Sequence, residues 1–91
     1  MDLEKLKKKV ADVLRRNLDV DSLDLRDIDG ISGYVVSRQF LGMTPLDRQT
    51  LIHRLLHAPP AKFTAAELRQ VLAIAALTPV EYEVVMSRDA V

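Results

Sequence analysis

The chain contains no cysteine. Disulfides, zinc fingers, thiol catalysis and cysteine-ligated clusters are therefore excluded within it, and a reducing compartment is the natural setting. Neither sign of charge is in excess, because thirteen Lys and Arg offset thirteen Asp and Glu. A net charge of zero gives no global pull toward nucleic acid or an anionic membrane, so any such binding needs a local patch. Long hydrophobic runs are missing as well. The longest, Val71–Leu77, falls far short of the ~20 residues that cross a bilayer. The N-terminus is charged within its first four residues and shows no apolar h-region, so no secretory signal is expected. These absences lead to the expectation of a cytoplasmic, membrane-free protein. Aromatic residues make up only 4% of the chain, so a core would need most of them.

What is present suits one small globular domain over residues 1–91. Hydrophobic residues reach 48%, too many for a disordered chain. At this length the core is modest, and stability is on the order of 5–10 kcal/mol. Leu3, Leu6, Val10, Val13 and Leu14 recur at helical spacing and predict an N-terminal helix. Asp2 is its expected cap, and Asn17 the residue expected to take the left-handed turn that ends it. Lys7, Lys8 and Lys9 form a basic run that reads first as a solvated face and second as a phosphate-contacting patch.

An acidic stretch follows, with Asp19, Asp21, Asp24, Asp27 and Asp29. An EF-hand loop placed with its glycine at Gly30 would put Leu25 and Val36 where acids are required, so the calcium motif fails. Leu23 and Leu25 alternate with polar neighbours, as in a short edge strand whose aspartates discourage foreign pairing. Asp29-Gly30 is a turn dipeptide, and Tyr34-Val35-Val36-Ser37-Arg38 is rich in β-formers. A hairpin over residues 23–39, with its loop near 28–32, is the result. Gly30-Ile31-Ser32-Gly33 also spells GxxG, by which KH domains clamp a nucleic-acid backbone, but that loop joins two helices and this one joins two strands.

Helix starts are the clearest local signals. Thr44-Pro45-Leu46-Asp47 offers a cap, a proline at the first helical position and an acid at the third. Thr64-Ala65-Ala66-Glu67 and Thr78-Pro79-Val80-Glu81 are full capping boxes, with Phe63/Leu68 and Leu77/Tyr82 placed as hydrophobic staples. Helices should start near 45, 65 and 79, and Pro59-Pro60 should end the first of them. Val71–Leu77 is balanced between helix, for its alanines, and a buried central strand, for its length and unbroken apolarity. A third strand is chosen, since a lone hairpin is marginally stable. The expected fold is α+β, in the order α-β-β-α-(short α)-β-α, with a three-stranded mixed sheet and helices packed on one face.

The stretch Val35-Val36-Ser37, then Phe40-Leu41-Gly42-Met43, then Arg48, and the closing Leu72-Ala73-Ile74-Ala75-Ala76-Leu77-Thr78-Pro79-Val80-Glu81-Tyr82, resemble the BolA-like family over roughly residues 3–83. That resemblance implies an α-β-β-α-β-α fold related to class II KH, and it favours a strand at 71–77. It implies that Phe40 anchors the exit from the second strand and that Gly42 makes the turn into the crossover helix. It also implies a monothiol glutaredoxin as partner and an iron–sulfur cluster shared with it through a histidine just before the last strand; some members are described as DNA-binding regulators. Here the matching position is Gln70, and the family's Arg-His-Arg reads Arg48-Gln49-Thr50. With both family histidines missing, the chain reads as a divergent member without direct cluster ligation, since a carboxamide is a poor substitute for imidazole on iron.

Other sites are sparse. His53 and His57 stand four apart on one helix, the spacing for two metal-binding imidazoles, with no third ligand evident and without the Glu of H-E-x-x-H. No nucleophile–base constellation and no P-loop occur, so an enzyme is not expected. Tyr34 and Phe40 suit core packing more than a base-stacking surface. The leading expectation is a non-enzymatic interaction module, with no cofactor of its own, working as a monomer or homodimer. Nucleic-acid binding is the alternative. Arg38, Arg48 and Gln70 are the candidate binding residues, with Lys7–Lys9 in support of nucleic acid.

Overall fold

Asp2 begins the first element, accepting from the backbone N–H groups of Glu4 and Lys5. Helix α1 (Leu3–Asn17) then buries Leu6, Val10 and Leu14, the predicted stripe. The computed structural model describes residues 2–58 and 61–89. After α1 come β1 (Ser22–Arg26), β2 (Ile31–Val36), a 3-10 turn (Arg38–Phe40), α2 (Pro45–His57), α3 (Ala65–Arg69), β3 (Val71–Leu77) and α4 (Pro79–Asp89). This is the predicted α+β order.

The end of α1 departs from expectation. Asn17 stays helical and donates its amide to the Val13 carbonyl at 2.8 Å. The chain leaves through Leu18 in an extended conformation (φ −127°, ψ 150°). Leu18 is buried, and an extended exit carries its side chain into the core, where a left-handed turn at Asn17 would have reversed the chain.

The sheet has the order β1-β2-β3, with β1 and β2 antiparallel and β2 and β3 parallel. Asp29 (φ 58°) and Gly30 (φ 128°) make the hairpin turn. The strands are shorter than the predicted 23–39 hairpin, because Ser37 caps the 3-10 turn by accepting from the Gln39 N–H. Phe40, at the end of that turn, is fully buried, and Gly42 (φ 79°) lies in the turn that leads into α2. β3 is a strand, as chosen, but it occupies an edge of the sheet and not its centre. Ile74 and Ala76 are buried while Leu72, Ala73 and Ala75 are exposed. Alanine tolerates either side, so the alternation was hidden in the sequence.

Leu23 and Leu25 of β1, Ile31 and Val35 of β2, and Ile74 and Ala76 of β3 pack with the apolar stripes of α1 and α2 in one core. Phe63 and Leu68, predicted as a staple around Thr64, both pack against it. All three predicted caps are in place. Thr44 accepts from Asp47 N–H, and both capping boxes are closed in each direction. The predicted stop at Pro59-Pro60 lies outside the described residues; α2 ends at His57, where Ala58 N–H still bonds the Arg54 carbonyl.

One polar network ties α2 to the end of the sheet. Arg48, buried on α2, donates from Nη1 to the Ala76 carbonyl at 3.2 Å and to Glu81 Oε1 at 2.6 Å, and from Nε to the Met43 carbonyl at 3.1 Å. Glu81 Oε1 also accepts from the Thr78 N–H at 2.8 Å. The Thr78 N–H first, and the Arg48 guanidinium second, hold the Glu81 carboxyl below the usual carboxylate range.

Three outcomes are expected from chemical denaturation. A Cβ on Gly33 would stand 1.9 Å from the Asp24 carbonyl oxygen, and the residue has φ 149°. Gly33→Ala should therefore cost about 3 kcal/mol, because backbone cannot yield as a side-chain tip can. Thr78→Ala removes the cap of α4 and should cost about 1 kcal/mol. Because the folded pKa of Glu81 is depressed, its contribution is present above the unfolded value of about 4.3 and is lost as pH falls through the folded value. Glu81→Gln should accordingly flatten the acid limb of the stability–pH curve.

Candidate functional site

Helix α2 shows three different stripes, and they build the site. Arg48, Ile52 and Leu56 are buried, and Leu51 and Leu55 pack half-buried against the core. Gln49, His53 and His57, each one turn after the last, form a third stripe that is exposed. This stripe faces the outer edge of β3. Gln49 Nε2 donates to the Ile74 carbonyl at 2.9 Å, two residues before the Ala76 carbonyl that Arg48 takes. Two outward carbonyls of the edge strand are thus held by side chains of α2, which disfavours addition of another strand there.

Beyond these bonds the helix and strand diverge into a groove of about 400 Å³. Ile52, Leu56, Leu68, Val71 and Ile74 give it an apolar lining, and Gln49, His53, His57 and Arg69 give it polar groups. The two imidazole rings stack, with centroids 3.9 Å apart and planes at 24°. Among the described residues no carboxylate lines the groove. Arg69 makes no ion pair among the described residues.

The predicted site residues are not gathered together. Gln70 is half-buried at the end of α3, and its carbonyl accepts the Ile31 N–H at 2.7 Å. It borders the groove through its neighbours Arg69 and Val71 but does not line it. Arg38 is at the opposite end of β2, roughly 20 Å along the strand direction. It is exposed and paired with Asp21 at 3.9 Å. Arg48 is buried, with its guanidinium bonded to the acceptors described above.

The basic run Lys7–Lys9 does not form one patch. Lys7 reaches Asp27 at 3.6 Å, Lys8 reaches Glu4 at 3.9 Å, and Lys9 reaches Glu67 at 3.3 Å while lying over the Phe63 ring. The GxxG residues do not form a loop between the strands: Gly30 is in the hairpin turn, while Ile31, Ser32 and Gly33 are inside β2, Gly33 paired with Leu25. Phe40 is wholly in the core. Tyr34 is on the other face of the sheet, its ring centroid 5.3 Å from that of Tyr82. The hydrogen bond that the Tyr34 hydroxyl donates to Tyr82, with burial second, pushes the Tyr34 phenol up to about 12.

Gln49 and Gln70, at the positions where the resemblance implies histidines, do not fit an iron–sulfur cluster. Gln49 spends its amide N–H on a strand carbonyl, Gln70 offers only a neutral carboxamide, and the chain has no thiolate. Among the described residues no three His, Cys, Asp or Glu side chains converge as a metal site. Sequence reasoning missed Arg69 and the groove itself. The one signal available was the one-turn spacing of Gln49, His53 and His57.

No helix among the described residues is long and apolar enough to cross a membrane. No family profile matches the sequence, and no curated protein sequence does. Solved structures do. A bol-like protein from Babesia bovis is similar at 33% identity, with 86% of this chain and 90% of that one covered and a TM-score of 0.59. The BolA domain of SufE1 from Arabidopsis thaliana is similar at 25% identity, covering 82% of this chain and 93% of that one, with a TM-score of 0.63. BolA1 from Arabidopsis thaliana shares the fold at 22% identity, covering 84% and 94%, with a TM-score of 0.62. With the α-β-β-α-α-β-α order, the mixed sheet and a relative one-third identical over most of both chains, the chain belongs to the BolA-like family.

Proposed function

We propose that this chain is a non-enzymatic interaction module of the BolA type, that it binds a monothiol glutaredoxin, and that it does so without ligating an iron–sulfur cluster. The observation that carries this reading is Gln70. Its backbone is fixed between α3 and β2, with the N–H bonded to the Glu67 carbonyl and the carbonyl accepting from the Ile31 N–H. Its side chain, however, is a weak neutral donor for iron. On this reading the chain keeps the family scaffold at that point and carries glutamine in place of the ligand. A cytoplasmic location goes with this reading.

Nucleic-acid binding is less well supported. Lys7, Lys8 and Lys9 each have a carboxylate, Arg48 is buried, and the net charge is zero. Binding resting on so few phosphate contacts would be weak and steeply lost with salt.

Calorimetric titration with an apo monothiol glutaredoxin should show binding. Anaerobic mixing with the cluster-loaded glutaredoxin should leave its visible absorption and circular dichroism unchanged by the wild-type chain. Gln70→His should gain a response. A clear spectral change with wild type would overturn the loss of ligation and turn attention to His53 and His57. Submicromolar affinity for an oligonucleotide at physiological salt would overturn the ranking of the two readings.

A further inference from the structure

We propose that the groove between α2 and β3 docks a short acidic segment of a partner protein, one that alternates carboxylates with apolar side chains. This rests on the reading of the chain as an interaction module and adds the chemistry of what it binds.

Three observations lead there. The first is charge. The rim carries the Arg69 guanidinium with the His53 and His57 imidazoles beside it, and among the described residues no acid lines the groove, although Asp and Glu are as numerous as Lys and Arg over the whole chain. Glu67, close by in α3, is turned to Lys9 and the Thr64 N–H. Arg69 is exposed and makes no ion pair among the described residues. A guanidinium presents paired N–H groups that match a carboxylate, and an imidazole ring N–H can donate to another.

The second is the floor. Ile52, Leu56 and Ile74 line the groove beneath those polar groups, so apolar side chains of a ligand gain burial between the polar contacts. About 400 Å³ lies within the ~300–1,000 Å³ of clefts that hold small ligands. The groove is open and strung along a helix, which suits an extended chain better than a compact metabolite.

The third is the edge of β3. Gln49 and Arg48 hold the outward carbonyls of Ile74 and Ala76. An incoming chain cannot add as a full strand without breaking those bonds, so side chains must carry recognition. Rim charges then give the partner preference and the on-rate.

The test uses the whole chain and three labelled peptides of one length. One alternates Glu with Leu or Ala, and the others replace every Glu by Gln or by Lys. By fluorescence anisotropy at physiological salt the Glu peptide should bind, the Gln peptide roughly tenfold more weakly, and the Lys peptide not at all. Arg69→Glu should cost the Glu peptide roughly tenfold or more, and His53→Glu should act in the same direction. Arg15→Glu, on α1, should change nothing. Amide shifts on binding should gather on α2 and β3. Equal binding of all three peptides, no binding, insensitivity to Arg69→Glu, shifts centred on Lys7, Lys8 and Arg15, or full competition by free glutamate would each overturn the proposal. No glutaredoxin enters this assay, so its failure is separate from failure of the partner titration.

Discussion

Arg48 stands where the turn into α2, the outer edge of β3 and the start of α4 meet. Its guanidinium is out of water, and taking such a charge out of water costs several kcal/mol unless acceptors surround it. The Met43 and Ala76 carbonyls and the Glu81 carboxylate supply them. Because the acceptors come from three separate pieces of chain, the interaction is met only when all three are in place. Glu81 is in turn fixed by the capping box with Thr78. The direction in which α2 runs past β3, and hence the groove beside it, follows from this pin. The α2 arginine that carried part of the family resemblance is thus a structural residue of this chain.

The two sheet edges are managed differently. β1 is short, and Asp24 and Arg26 alternate with its apolar residues. Charges of this kind keep a free edge from recruiting other chains. β3 carries no charge along its seven residues and would be the greater hazard. There the protection comes from outside the strand, through Gln49 and Arg48 of the adjacent helix. Gln49 stands where the resemblance implies a family histidine, and its amide serves the strand edge. The same side chains that protect the edge form the upper end of the groove, so the site follows from how the fold handles an exposed strand.

Zero net charge conceals an uneven local distribution. Most cations of α1 are matched within reach: Lys7 by Asp27, Lys8 by Glu4, Lys9 by Glu67 and Arg16 by Asp12. Such exposed pairs contribute little to stability, on the order of 0–1 kcal/mol each. Their effect is to cancel the field of that face. Around the groove, among the described residues, no acid pairs with Arg69.

Whatever depends on bonds within a few residues was legible in the chain. The starts of α2, α3 and α4 follow from Thr44, Thr64 and Thr78 bonding three residues ahead. The α1 stripe, the Asp29-Gly30 turn and the burial of Phe40 were legible on local pattern, family resemblance or both. What depended on partners far along the chain was not. Ala73 and Ala75 read the same whether buried or exposed, so the edge position of β3 was settled by which strand paired with β2. Leu18 overruled Asn17 because a core site was open to it. Arg48 read as a binding residue until Ala76 and Glu81, 28 and 33 residues later, supplied its acceptors. Lys9 read as part of a basic run until Glu67, 58 residues away, neutralised it. Local sequence determines where helices begin and which stripe is apolar, since those free energies arise within one turn. Which charges remain free, and which strand edge stays open, is decided only when distant segments come together.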